Sequence, residues 1–203
     1  MDASVLPPPM ALALAASFGS VERWREEFVA MGKALGEASE RVLLVFQPRE
    51  GRLVNQPTPG GGMAILAVDK ADDIEAFVAG IDWNPVYERY QEAVHAASEA
   101  FGAEQDEVTG ALLLDVRRAG VFEQAPSMIP GARWRDPAAV GRWAGELPAD
   151  REVIVYCVYG HEVGRSTAMR LRAAGLKARY LRGGIDGWQA AGRPLAGKTG
   201  AAS

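Results

Sequence analysis

The sequence predicts two domains of different class, a small α+β unit followed by an α/β unit, and three observations predict it. The first hundred residues combine helix-period apolar stripes with a cluster of short strands bounded by turn residues. Residues 102–109 are polar, acidic and without periodicity, which reads as a linker. Beyond them short apolar runs alternate with helical stretches, the pattern of a parallel sheet with crossover helices. The boundaries read as 1–101 for the first domain, 102–109 for the linker, 110–196 for the second domain and 197–203 for a flexible Ala/Gly-rich tail.

Residues 10–18 (MALALAASF) are apolar and end in small residues, like the core of a signal peptide. The preceding residues carry an acid and no base, whereas a secretory signal places positive charge before its apolar run. The stretch also falls short of the roughly 18–20 apolar residues that span a bilayer. It reads as a short helix. From Ser20 the residues Val21, Trp24, Phe28, Met31 and Leu35 recur at three- and four-residue steps, predicting a helix capped by Ser20 and stopped at Gly36. Strands are predicted over 41–46, 52–55 and 63–68, the first two joined as a hairpin through the turn residues 48–51. Residues 57–62 read as a flexible break. Helices follow over 71–79 and 85–101, the second with Val86, Tyr90, Val94, Ala97 and Phe101 on one side. In the second domain, residues 111–116, 153–157 and 178–181 read as buried strands, and 137–145 and 164–174 as helices.

With 203 residues, 48% of them apolar, the chain can bury an ordinary core. A net charge of −4 with dispersed basic residues argues against a coat for nucleic acid or an acidic membrane. One cysteine, Cys157, excludes a disulfide within the chain, and the expected location is cytoplasmic. Nothing in the sequence calls for a cofactor.

The segment around Cys157 reads as a strand, then Cys157, then Val158, Tyr159, Gly160, His161, Glu162 and Val163, then a helix from Gly164. Binding sites of open parallel sheets sit at the carboxyl ends of strands. A loop that leads into a helix points unpaired main-chain N–H groups at its centre, which favours a thiolate or persulfide there. Bringing a cysteine from about 8.5 to about 6.5 requires roughly 2.7 kcal/mol. A helix dipole supplies about 0.3–1 kcal/mol, up to about 2 when partly buried, so the loop amides must share the task. The plainer reading, a small buried hydrophobe, is what most lone cysteines are.

Four ordered blocks make the second domain resemble the rhodanese family over about 85 residues. Leu113-Leu114-Asp115-Val116-Arg117 resembles its early strand motif, and Ile129-Pro130-Gly131-Ala132 the loop that follows. Cys157-Val158-Tyr159-Gly160 resembles the active-site opening, and Leu181-Arg182-Gly183-Gly184-Ile185 with Trp188 the closing signature. The resemblance implies a parallel sheet flanked by helices. It also implies a cysteine that takes sulfane sulfur from a donor such as thiosulfate, holds it as a persulfide and passes it to a thiophilic acceptor. Asp115 is structural in such domains.

The loop departs from the usual form. It reads one residue longer, seven residues over 157–163, a length typical of the related dual-specificity phosphatases and arsenate reductases. Those relatives end the loop on an arginine that grips an oxyanion with its fork. Here that position is Val163, and Arg165 two residues on is the candidate anion ligand. Glu162 adds negative charge and is expected to face solvent. His161 reads equally as a donor to leaving sulfite or incoming thiol and as an exposed loop histidine. Tyr159 is expected to pack under the loop rather than line its mouth.

The first domain resembles the C-terminal domain of iron/manganese superoxide dismutases. The stretches that carry this are Ser17-Phe18-Gly19-Ser20-Val21-Glu22-Arg23-Trp24, Gly51-Arg52-Leu53-Val54-Asn55-Gln56, Ile65-Leu66-Ala67-Val68-Asp69, and Ile81-Asp82-Trp83 ahead of Tyr87-Glu88-Arg89-Tyr90. The resemblance implies helices on a three-stranded antiparallel sheet. That family binds its metal through three histidines and an aspartate, whereas this chain has only His95 and His161, neither at a ligand position. Asp69 matches the ligand aspartate, but the aromatic–Glu–His–Ala–Tyr stretch after it is missing. A domain without metal and without dismutase activity is expected, His95 being a surface or edge residue. Dimerisation is the use that analogy with the parent family offers.

Three functions follow in order. The first is a sulfurtransferase acting through Cys157, with a small-molecule sulfur donor, an external thiol or cyanide as acceptor, and no nucleic-acid or membrane partner; a single cysteine leaves no internal thiol to resolve the persulfide. The second is a non-catalytic oxyanion-binding or docking module in an oxyanion or oxidative stress response. Residual dismutase activity is the remote third.

Overall fold

Proline in the first turn of a helix sacrifices no hydrogen bond, and Pro8 opens α1 (Pro8–Phe18), which Gly19 ends at φ 93°. This is the chain's beginning in a computed structural model that describes residues 5–35, 40–58, 61–69 and 73–198. Ser20 then caps α2 (Val21–Lys33), its hydroxyl accepting the Arg23 N–H at 3.1 Å. Trp24 and Phe28 of the apolar stripe are fully buried. The strands follow as β1 (Arg41–Gln47), β2 (Arg52–Pro57) and β3 (Met63–Asp69), with β1 in the middle of an all-antiparallel sheet ordered β2-β1-β3. Leu53 N–H donates to Ser17 Oγ at 3.0 Å and Trp24 Nε1–H to Asn55 Oδ1 at 3.1 Å, so both helices are tied to β2. Asp73 caps α3 (Ile74–Ala79), and α4 (Trp83–Ser98) completes the helical cover. The expected stop at Gly36, residues 59–60 of the break expected over 57–62, the helix start at Ala71 and the tail from 199 lie outside the described residues.

The chain divides into two units, Met1–Ala97 and Ser98–Ser203. This moves the boundary from the expected 102–109 into the end of α4. After a short 3-10 turn (Glu99–Phe101), Gly102 and Ala103 form β4, an edge strand paired in parallel with β9 (Ala178–Leu181). The remaining strands and α-helices of this unit are β5 (Leu112–Asp115), α5 (Ala119–Gln124), β6 (Ser127–Met128), β7 (Arg133–Trp134), α6 (Val140–Trp143), β8 (Val153–Tyr156), α7 (Glu162–Ala173), α8 (Gly184–Ala190) and β10 (Ala196–Gly197). Residues 102–109 hide their role because sheet pairing engages only main-chain groups. Arg179 then holds the segment by donating to the Gly102 carbonyl and the Glu107 carboxylate, both at 2.8 Å.

The second sheet has the order β4-β9-β8-β5-β7 and is parallel throughout. Its central strand β8 is buried along its whole length, which is why it reads as an unbroken apolar run rather than an alternation. Alternate residues still go to opposite faces. Val153 and Val155 join Val140, Trp143, Ala168 and Leu171 under α6 and α7, while Ile154 and Tyr156 join Ile185 and Trp188 under α8. The start of the expected tail belongs to the domain: β10 pairs with β6, and the Lys198 ammonium sits 4.1 Å from the Phe122 ring centroid and donates to the Phe122 carbonyl. Among the described residues no helix is long and apolar enough to cross a membrane.

Candidate active site

Cys157 follows the last residue of β8, at the carboxyl end of the sheet's central strand, and the chain must turn there to start α7. That helix begins at Glu162, two residues earlier than expected, so residues 157–161 form the loop and 162–164 the first helical turn. Gly160 makes the turn at φ +71°. A Cβ added there would lie 2.8 Å from both the Gly183 nitrogen and the Leu181 carbonyl oxygen, so glycine is required by conformation and by space. Gly160→Ala is therefore expected to cost at least about 1–2 kcal/mol from the left-handed backbone alone. Urea unfolding checks this; an alanine variant as stable as wild type would contradict this packing.

The closing Gly183-Gly184 pair explains itself in the same way. Both residues have positive φ, 73° and 59°, and a Cβ on Gly184 would meet the Cys157 and Val158 carbonyl oxygens at 2.6 and 2.4 Å. This bare backbone lets Ile185 N–H and Asp186 N–H donate to the Cys157 and Val158 carbonyls, each at 3.0 Å. With these carbonyls engaged away from the centre, the main-chain N–H groups of Gly164, Gly160 and His161 lie where they favour a negative charge on the sulfur. Gly164 also grants close approach, since a Cβ there would touch Sγ at 3.4 Å.

Cys157 is only 6% exposed. Burial pushes its thiol above the ordinary cysteine range, the three N–H groups pull it back, and the charge of Glu162 pushes it up again. At neutral pH the resting group is a thiol, and its sulfur lies 4.0 Å from the His161 carbonyl oxygen.

Behind the sheet edge Asp115 is fully buried and forms a bidentate pair with Arg117, whose Nε donates to Oδ1 and Oδ2 at 3.0 and 2.9 Å. Arg117 N–H also donates to Oδ1, and Tyr156 O–H donates to Oδ2, both at 3.0 Å. The Tyr156 oxygen in turn accepts Ile129 N–H at 3.2 Å. One carboxylate thus joins β5, β8 and the 129–132 loop, and none of these contacts is with the sulfur.

Three expected placements change. Glu162 is 5% exposed rather than solvated, because the helix starts at that residue and turns it inward. Tyr159 is 56% exposed and lies at the rim instead of under the loop, its ring 5.7 Å from that of His161. His161 is exposed and stands at the N-cap position of the helix; Val158 is half-buried and Val163 buried. Arg165, the expected anion ligand, is 9% exposed and committed elsewhere. Its Nε donates to the Gly160 carbonyl at 2.9 Å, its Nη1 to Ser98 Oγ and Glu99 Oε2 at 3.2 Å, and its guanidinium stacks 4.2 Å from the Tyr180 ring centroid. Ser98, Glu99 and Tyr180 escaped the sequence reading because nothing local marks them. Arg182 first, then Arg165, hold the Glu99 carboxyl below the usual range.

In the first unit Asp69, the match to the dismutases' ligand aspartate, is paired with Arg41 at 2.5 Å, and both are more than half exposed. His95 is half-buried in the last turn of α4. Among the described residues no three His, Cys, Asp or Glu side chains come together as a metal site. This donor set does not fit the dismutases' redox metal, which needs a complete first shell of nitrogen and oxygen ligands.

A parallel α/β sheet with a cysteine loop at the end of its central strand defines a class of protein. Residues 97–191 match the rhodanese-like domain family. A sulfurtransferase of Allochromatium vinosum is 30% identical over 98 residues, covering 48% of this chain and 90% of that protein. The chain belongs to the rhodanese-like family through this unit. The rhodanese-like domain protein of Staphylococcus aureus is 21% identical, with a TM-score of 0.41, over 48% of this chain and 98% of its own. The N-terminal half is similar to the C-terminal region of dismutases: an iron superoxide dismutase of Cupriavidus metallidurans is 39% identical over 112 residues, 46% of this chain. The chain spans only 57% of that relative's length.

Proposed function

We propose that the C-terminal unit moves sulfane sulfur through a persulfide on Cys157. The Cys157 thiolate attacks the outer sulfur of a donor such as thiosulfate; the S–S bond breaks, its electron pair leaves with sulfite, and Cys157 carries the terminal sulfur as a persulfide anion. An external thiol or cyanide then attacks that sulfur, leaves as a persulfide or thiocyanate, and returns the Cys157 thiolate. The single observation that carries this reading is the place of the Cys157 sulfur, after the central strand and against the first turn of α7, where a Cβ on Gly164 would touch it at 3.4 Å and the Gly160, His161 and Gly164 N–H groups favour its charged form. Such preorganised donors stabilise sulfur-centred negative charge without reorganising during the reaction.

Phosphatase-type chemistry finds less support. Arg165 is engaged behind the loop, and the buried Glu162 carboxylate opposes a doubly charged oxyanion. The exposed Tyr159 and His161 rings form a rim at which donor and acceptor reach the loop.

Thiocyanate formation from thiosulfate and cyanide, with other sulfane donors in parallel, tests the reading. Because Cys157 is held above the ordinary cysteine range, the rate of sulfur uptake should climb about tenfold per pH step through neutrality, as the thiolate fraction does. A flat profile across that window would show that another group limits the step. No thiocyanate and no mass gain of one sulfur atom with any donor would leave a binding module instead.

A further inference from the structure

Resting on the persulfide reading, we propose that Arg165 is a positioning residue: by donating from Nε to the Gly160 carbonyl at 2.9 Å, it orients the Gly160–His161 peptide so that the His161 N–H faces Cys157 Sγ. A peptide unit is planar and trans, so its C=O and N–H point in opposite directions. Pinning the oxygen on one side therefore aims the hydrogen on the other. The pin matters here because Gly160, lacking a Cβ, leaves its peptide the widest freedom to rotate. Arg165 grips the same turn twice, since its main-chain N–H donates to the His161 carbonyl at 3.1 Å.

The guanidinium is itself held in place. It is buried against Tyr180, which is fully buried, and its Nη1 is shared by Ser98 and Glu99 at the start of this unit. A cation on the Gly160 oxygen also polarises the peptide and strengthens the N–H as a donor to negative sulfur. Lysine cannot repeat this arrangement, because a point charge lacks the planar fork and its stacking face. The other charged or titratable groups around this turn are Tyr159, His161 and Glu162 on the loop and helix start, and Glu99 and Tyr180 against the guanidinium.

The test uses the full chain with Arg165→Met and Arg165→Lys, and reads the resting thiol without any sulfur donor. Iodoacetamide alkylation followed by intact mass across pH reports on Cys157 alone, since it is the only cysteine. The Met variant is expected to shift the alkylation midpoint upward by about one pH step, an approximately tenfold lower thiolate fraction at a given pH below it. The Lys variant should fall between the two. With thiosulfate, kcat should drop and KM hold, because the Arg165 guanidinium is committed to Gly160, Ser98 and Glu99. A folded Met variant with the wild-type alkylation profile overturns the proposal, as does a defect confined to KM. If the Met variant does not fold, a Lys variant indistinguishable from wild type overturns it equally. A wild type that takes up no sulfur sinks the sulfurtransferase reading alone, and the alkylation series still decides the role of Arg165.

Discussion

Cys157→Ser is expected to abolish sulfur transfer, a loss on the order of 10³-fold or more, while leaving the fold in place. A serine hydroxyl is too weakly acidic to ionise in this loop and forms no stable bond to sulfane sulfur. The N–H groups of Gly160, His161 and Gly164 that meet Sγ can donate to Oγ instead, so stability should change by no more than about 1 kcal/mol. The thiosulfate–cyanide assay reads the first effect and urea unfolding the second. Intact mass after thiosulfate should show a one-sulfur gain in wild type and none in the variant. A serine variant that still forms thiocyanate would place the chemistry elsewhere.

Asp115→Asn is expected to have the largest effect on stability, about 3–5 kcal/mol, because it leaves the charge of Arg117 buried without its partner. Asp115 is fully buried and Arg117 is 4% exposed. The substitution preserves shape and removes charge, so the loss reports on the ion pair rather than on a cavity. It also weakens the acceptor of the Tyr156 hydroxyl, through which the carboxylate reaches the strand that ends at Cys157. Urea unfolding measures the total, and hydrogen exchange of the β8 amides assigns it to this unit. Asp115→Asn combined with Arg117→Met should recover much of the loss, since a buried pair replaced by apolar atoms is often neutral. A single variant within about 1 kcal/mol of wild type would show that solvent or another group compensates the arginine.

Both Cys157 and Asp115 were visible beforehand, each inside an ordered block of the sequence. Cys157, Gly160 and the Gly183-Gly184 pair stand in ordered blocks, and a glycine at positive φ leaves a mark that sequence preserves. The strands 112–115 and 153–156 were legible because burial on both faces favours unbroken apolar runs. The two-residue strands β4 and β7 were not, because pairing through main-chain groups asks little of side chains. Lys198, expected in a loose tail, settles on Phe122 through a contact across 76 positions that no local pattern encodes.

The order of apolar runs, turn residues and glycines thus determined the two fold classes and the family of the second, because each rests on contacts between near neighbours or on backbone conformations that few residues adopt. Tertiary structure alone decided where long polar side chains end up. Arg165 reaches back to Gly160 instead of forward to a ligand, Glu162 turns inward, and Tyr159 turns out. The physical reason is that a long side chain sweeps several ångströms around its Cα, and only the packed surroundings select which partner it meets.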